Sequence, residues 1–133
     1  DTSIGCTENY KACLPLTIYD KIRISGIVGM GGAGFPTHTK MRLAAGCKNI
    51  IINATECEPG ITCDAALMEA YPTKVIRGVE VLLHITGAEK AIIAIEDDKQ
   101  KSIDELNKYC NNEHIEIKVI PVVVNKLIFT ITI

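Results

Sequence analysis

The sequence has no tryptophan, and aromatic residues make up only 5% of its 133 residues. Its 14 Lys and Arg are outnumbered by 16 Asp and Glu, which gives a formal net charge of −2. This balance provides no general attraction to nucleic acid or to anionic membranes, and few aromatic rings are available to stack on bases. The composition therefore argues against a nucleic-acid-binding module.

Long apolar runs are also missing, since none reaches the roughly eighteen residues that a membrane-spanning helix needs. Residues 1–3 lack the basic and apolar stretches of a signal peptide. We therefore expect a soluble, cytoplasmic chain, peripheral to a membrane only through partner proteins.

The six cysteines never form a CxxC pair, which argues against a zinc ribbon or a ferredoxin-type cluster within these residues. Without an export signal, reduced thiols are favoured over disulfides. The histidines His38, His84 and His114 are dispersed, without metal-binding spacing, so no metal site is predicted. His84 falls on an apolar helix and is expected to be structural.

Hydrophobic residues make up 47% of the chain and charged residues 23%, a balance typical of a globular domain. Continuous apolar runs predict buried strands at 49–53 and 90–96, and 115–120 is predicted as a third strand. Helical periodicity and end signals predict helices at 16–24, 36–45, 63–70, 72–86 and 97–110. This alternation predicts an α/β fold, a parallel sheet with flanking helices and right-handed crossovers.

The predicted organisation along the chain has three parts. An N-terminal arm covers residues 1–23, and the α/β domain covers 24–121. An apolar, β-prone tail follows at 122–133. Such a tail would aggregate if left in water. It is expected to pair with the sheet or with a partner, or else sequence that should cover it has been lost.

A glycine-rich loop precedes the second predicted helix, with glycine at positions 29, 31, 32 and 34. Bare backbone of this kind can lie against a flat or phosphorylated ligand. The spacing satisfies GxGxxG, but an ordinary Rossmann turn would put Pro36 inside the helix, at a cost of about 3 kcal/mol. A helix that starts at Pro36 leaves Gly29, Gly31, Gly32 and Gly34 in a loop. A cofactor-wrapping loop is therefore favoured over a Rossmann site or a structural turn.

A polar turn follows the first predicted strand. Asn53 offers both a donor and an acceptor, and Glu56 and Glu58 project from one side of an extended chain. Ligands of open α/β sheets bind beyond the carboxyl ends of the strands. The two carboxylates therefore suit ring N–H, amide or ribose hydroxyl groups, with a solvated acidic turn as the alternative. Glycoside hydrolysis would need an aromatic-lined cleft that this composition does not supply.

Single side chains near these segments have two interpretations each. Lys40 can turn back toward the loop and neutralise an anionic group, or it is a solvated helix lysine. Phe35 is either a core residue or a platform for ring stacking. Asp64 and Asp97 are predicted to cap the helices that start beside them.

Taken together, the segments 26–37, 53–59 and 61–64 resemble the flavin-binding domain of the C subunit of the Rnf electron-transport complex. That family is similar to the NADH-oxidising, FMN-carrying subunit of respiratory complex I. It is also similar to a cobalamin reductase and to a proline reductase-associated electron-transfer protein. The resemblance runs from about residue 24 to 121 and implies a Rossmann-like three-layer sandwich.

The resemblance implies FMN held by Gly29, Gly31, Gly32 and Gly34, with Lys40, Asn53 and Glu56 at the flavin. Phe35 and Glu58 would face NADH, the substrate. Hydride would pass from nicotinamide to flavin, and electrons would then pass to 4Fe-4S clusters outside this chain, in an NADH:acceptor oxidoreductase with other subunits as partners. No catalytic acid or base is assigned, because hydride transfer to flavin does not require one.

The sequence departs from the family pattern in two places. The family's glycine-rich stretch after the third strand has no counterpart in residues 122–133, and Thr55 stands where the complex I relatives have an acid. The alternative hypothesis is therefore a truncated or vestigial, non-catalytic module that acts only through partner proteins.

Overall fold

The computed structural model describes residues 9–29, 33–56 and 62–122. A short 3-10 turn at Tyr10–Ala12 comes first. The remaining elements are α1 (Pro15–Ile24), α2 (Thr37–Ala44), β1 (Asn49–Asn53), α3 (Cys63–Ala70), α4 (Pro72–Thr86), β2 (Lys90–Glu96), α5 (Gln100–Tyr109) and β3 (Ile115–Ile120). The predicted strands are confirmed, and the predicted helices differ from the observed ones by a few residues at their ends.

The strands form one parallel sheet in the order β1-β2-β3. The register pairs Ile51 with Ile92, and Ile92 in turn with Glu116. Successive right-handed crossovers in this order put the connecting helices on one face of the sheet. The predicted α/β class, a parallel sheet with flanking helices, is confirmed.

The core lies between that face and the helices. Ile93 and Ile95 of β2, Val79 of α4 and Leu106 of α5 are fully buried. On the opposite face, Ile51 and Ile92 are only half-buried. Among the described residues, the prediction of strands covered on both faces therefore holds fully for one face only.

Two predicted helix caps are wrong. The residue before α5 is Lys99, whose side chain makes no cap, and the Asp97 N–H donates to the carbonyl of Ile120 at 3.0 Å. The residue before α3 is Thr62, and Asp64 lies inside the first turn instead of capping it. Both carboxylates satisfied the local sequence pattern, but tertiary contacts determine how these helices begin. The C-terminal end of α4 follows the expected pattern, since Gly87 adopts φ +71°.

The segment before α1 packs against α4. Tyr10 is buried and its hydroxyl donates to Glu80 Oε2 at 3.1 Å. His84 Nε2 lies 2.9 Å from the Cys13 carbonyl, which confirms the structural role expected for this histidine.

Among the described cysteines, the thiol of Cys13 differs from expectation. Cys13 is disulfide-bonded, so the prediction of reduced thiols is wrong at this position. Cys47, Cys63 and Cys110 are free. Within the described ranges, no helix has the length and hydropathy needed to cross a membrane. The predicted pairing of the apolar tail falls on residues 123–133, outside the described residues.

Candidate functional site

The chain leaves β1 through a turn made by Asn53. Its Oδ1 accepts hydrogen bonds from the Thr55 N–H at 3.1 Å and from the Thr55 hydroxyl at 2.6 Å. Ala54 still donates to the Ala94 carbonyl at 2.9 Å, one residue beyond the strand. This Asx turn fixes the start of the acidic segment at the carboxyl edge of the sheet.

Glu56 has a buried side chain that caps the next helix along the chain. Its side chain is 4% exposed. Oε1 accepts the N–H groups of Asp64 at 2.8 Å and Ala65 at 3.3 Å, in the first turn of α3. A carboxylate at this position satisfies orphan amides and interacts favourably with the helix dipole. The alternative of a solvated acidic turn is therefore wrong for Glu56.

The second carboxylate oxygen of Glu56 faces a lysine. Oε2 lies 3.3 Å from Lys99 Nζ, and this interaction is the main cause that raises the pKa of Lys99. The contact is ionic and falls short of a well-directed hydrogen bond, so among the described residues Oε2 has no hydrogen-bond donor. A lone pair of a buried oxygen therefore remains available to another donor.

A second buried carboxylate, Glu96 at the end of β2, lies beside Glu56. It is 3% exposed, and its Oε2 accepts the backbone N–H of Glu56 at 3.4 Å. Burial, and then the charge of Glu56, raise the pKa of Asp64. The carboxyl ends of β1 and β2 thus meet in a compact acidic group, and the ammonium of Lys99 lies against Glu56.

The base of the glycine-rich loop is closed by backbone hydrogen bonds. The Gly29 N–H donates to the Phe35 carbonyl at 2.9 Å, and the Thr37 N–H donates to the Ile27 carbonyl at 3.0 Å. Gly34 adopts φ +58°, which strains any other residue, and a Cβ there would meet no atom within 4 Å. The loop is therefore a closed bend with open space beside Gly34.

Phe35 and Lys40 flank this loop. Phe35 is 43% exposed, so its interpretation as a core residue is wrong. Lys40 Nζ lies 5.9 Å from the centre of the Phe35 ring. The prediction that Lys40 turns back toward the loop is confirmed, and an exposed ring with a cation over it is a surface on which a planar ligand can stack.

The predicted site residues thus form two groups in the structure. Gly29, Gly34, Phe35 and Lys40 belong to the loop group, and Asn53 and Glu56 belong to the turn group at the sheet edge. Gly31, Gly32 and Glu58 lie outside the described residues. The convergence of the two groups on one ligand stays a prediction.

Lys99 and Glu96 are the residues of this region that the sequence interpretation missed. A usable signal was present, since the polar run 96–99 directly follows the second strand of a parallel sheet. The carboxyl ends of parallel strands share one edge. The run at 96–99 therefore belongs beside Asn53 and Glu56.

Cavities open to solvent lie at both edges of the sheet in the described parts of the chain. One of about 300 Å³ lies between the first turns of α3 and α5. The other, of about 450 Å³, lies at the amino edge of the sheet, near Tyr10, His84 and His114. Among the described residues, neither lining includes Gly29, Gly34 or Asn53.

A family comparison settles the relationship of this chain. The family described as the Nuo51 FMN-binding domain matches residues 22–126. The chain belongs to this family. The match covers the loop, the Asx turn, the sheet, the helices α2 to α5 and the last residues of α1. Every described site residue therefore lies within the Nuo51 FMN-binding domain.

Curated relatives confirm the predicted resemblance to the Rnf C subunit. The C subunit of the ion-translocating oxidoreductase complex of Actinobacillus succinogenes is 43% identical over 117 residues, 86% of this chain and 17% of the relative. Its counterpart in Vibrio cholerae is 41% identical over 114 residues, 85% of this chain and 15% of the relative. The C subunit of Pseudomonas aeruginosa is 36% identical over 122 residues, which are 90% of this chain and 16% of the relative. This Nuo51 FMN-binding domain thus spans only a small part of these relatives' length.

Solved structures show the same fold. A chain of the NAD+-reducing [NiFe]-hydrogenase in the air-oxidized state matches with a TM-score of 0.68 and 28% identity, over 80% of this chain and 20% of that chain. The H2-reduced state matches with a TM-score of 0.69 and 29% identity, over 79% of this chain and 21% of that chain.

Proposed function

We propose that this chain binds FMN at the carboxyl edge of its sheet, as the flavin domain of an Rnf-type NADH:acceptor oxidoreductase. NADH is the proposed electron donor, and 4Fe-4S centres outside these residues are the proposed acceptors. The family, and relatives that are named as the C subunit of an ion-translocating oxidoreductase complex, support this proposal. The other proteins of such a complex would be its partners and its route to the cytoplasmic face of a membrane.

The observation that carries the proposal is the direction of the helices around the loop. Cys13, just before α1, contacts His84, and Gly46, just after α2, donates to the Thr86 carbonyl at 3.4 Å. Both partners belong to the last turn of α4, at the amino edge of the sheet. Since α1 leads away from this edge and α2 leads back to it, we infer that Gly29 and Gly34, between the two helices, are near the carboxyl edge.

The segment after β1 leaves the sheet at that same carboxyl edge. The two helices extend about 15 Å and about 12 Å from the amino edge. The strands β1 and β2 are of similar length. These lengths support the proposal that Gly29 and Gly34 lie at the same edge of the sheet as Asn53 and Glu56.

The residues present fit a flavin. The backbone around Gly34 has open space beside it, which suits a flat ring or a phosphate. Glu56 Oε2 is buried and has no hydrogen-bond donor among the described residues, so it suits a ring N–H or a ribityl hydroxyl. Lys40 supplies a cation for the anionic cofactor.

When bound, FMN supplies the conversion of a two-electron hydride donor into single electrons. The role of the chain is to orient the cofactor and nicotinamide and to shield them from water. In the proposal, Gly29, Gly31, Gly32 and Gly34 lie against the cofactor, and Asn53 and Glu56 hydrogen-bond to it. Phe35 and Glu58 orient nicotinamide. None of these residues needs to donate or remove a proton, so none is assigned as an acid or base.

An FMN titration of the purified protein tests this proposal. We expect quenching of flavin fluorescence that saturates near one equivalent, with a dissociation constant in the micromolar range. Lys40→Met should weaken binding about tenfold, since it removes a charge opposite the anionic cofactor. Lys108→Met removes the same charge from the last turn of α5, at the amino edge, and should leave the affinity unchanged.

Absence of quenching at tens of micromolar FMN would contradict the proposal. That result would favour the alternative of a non-catalytic module acting only through partners.

A further inference from the structure

We propose that Lys99 is a positioning residue of the flavin site, which acts through the carboxylate of Glu56 and does not itself touch the cofactor. This inference rests on the proposed function for its effect on flavin. Its structural part, a brace formed by Lys99 and Glu56, rests on the described contacts alone.

The first step is the burial of the Glu56 charge. The Glu56 side chain is 4% exposed, and the carboxylates of Glu96 and Asp64 lie against the same residue. Lys99 is the cation within ion-pair distance of Glu56 among the described residues. Without it, a buried charge would stand among like charges, an arrangement that proteins avoid by protonation or by rotation of the side chain.

The second step is what the Glu56 carboxylate holds in place. Oε1 is committed to the first turn of α3, and Oε2 faces Lys99 at the start of α5. One side chain therefore ties the end of β1 to the first turns of two helices.

The third step concerns the free lone pair on Oε2. Its direction is the property that a flavin donor would use, and Lys99 sets that direction from 3.3 Å. Loss of Lys99 would let the carboxylate turn. Both the amides of Asp64 and Ala65 and the proposed flavin contact would then lose a correctly oriented acceptor.

A matched pair of lysine variants tests the brace. Lys101, two residues further along, pairs with Glu69, and its side chain is 77% exposed. In Lys99→Met, amide hydrogen exchange at Asp64 and Ala65 should accelerate about tenfold, with little change at the core amide of Ile93. In Lys101→Met, both rates should stay at those of the unsubstituted protein. Equal exchange rates in the two variants would overturn the proposal.

A double-mutant cycle tests the action through Glu56. Lys99→Met should weaken FMN binding about tenfold, but it should have little further effect in a Glu56→Gln background. Lys99→Arg keeps the charge and should restore both the affinity and the exchange rates. Additive losses in the cycle, or no rescue by arginine, would overturn the positioning role.

The two proposals fail in distinguishable ways. If the unsubstituted protein binds no FMN, the proposed function and the flavin role of Lys99 are both overturned, and the exchange rates still decide whether the brace exists. If FMN binds normally to Lys99→Met, the positioning role is overturned, and the proposed function stands.

Discussion

Replacement of Ile93 by alanine is expected to lower the free energy of unfolding by about 3 kcal/mol. Ile93 is fully buried on the central strand, on the face that packs against the helices. Truncation of this side chain removes buried apolar surface and leaves a cavity. Because β2 is paired with a strand on each side, it cannot move to fill that cavity. Urea-induced unfolding monitored by circular dichroism measures the change.

The neighbouring Ile92 provides a matched control. It has the same side chain and the same strand, but it points to the opposite face and is only half-buried. Ile92→Ala should lower the free energy of unfolding by about 1 kcal/mol. If the two substitutions were equally destabilising, the assignment of the core to one face of the sheet would be wrong.

Glu56→Ala is expected to lower the free energy of unfolding by about 2 to 4 kcal/mol. The substitution removes a charge-assisted cap from two amides of α3 and leaves Lys99 without this partner. Glu56→Gln keeps an oxygen acceptor in the same shape and should lower the free energy of unfolding by only about 1 kcal/mol. The same unfolding measurement gives both values.

The contrast with an exposed acid makes this prediction specific. Glu69 also pairs with a lysine, Lys101, but at the surface, where such pairs contribute little. Glu69→Ala should therefore change stability much less than Glu56→Ala. If Glu56→Ala were no more destabilising than Glu69→Ala, Glu56 would not be the buried brace that the contacts indicate.

The elements of the fold were predictable because their signals are local. Apolar residues specify the three strands, in continuous runs in β1 and β2 and mostly at alternate positions in β3. Proline and glycine mark the ends of α4 at Pro72 and Gly87. The order of strands and helices then determines the parallel sheet. Burial of the two sheet faces was less predictable, since an apolar run does not tell which side the helices occupy.

The helix caps and the brace were not predictable in the same way. Asp64 and Asp97 have the residue type and position of a cap, but the cap of α3 comes from Glu56, on the far side of residues 57–61. Lys99 has the same limitation, since its partner follows a different strand. Contacts between different segments produce no periodic pattern in the sequence. Only the topology of a parallel sheet brings the carboxyl ends of β1 and β2 together.

The measurement that tests the central claim most directly is a map of amide chemical shifts in 15N-labelled protein as FMN is added. We expect shifts in the loop group and in the turn group at the same FMN concentrations, at Gly29 and Gly34 of the loop and at Thr55 and Glu56 of the turn. Shifts confined to one group, or centred on His114 at the amino edge, would contradict the claim that loop and turn hold one flavin.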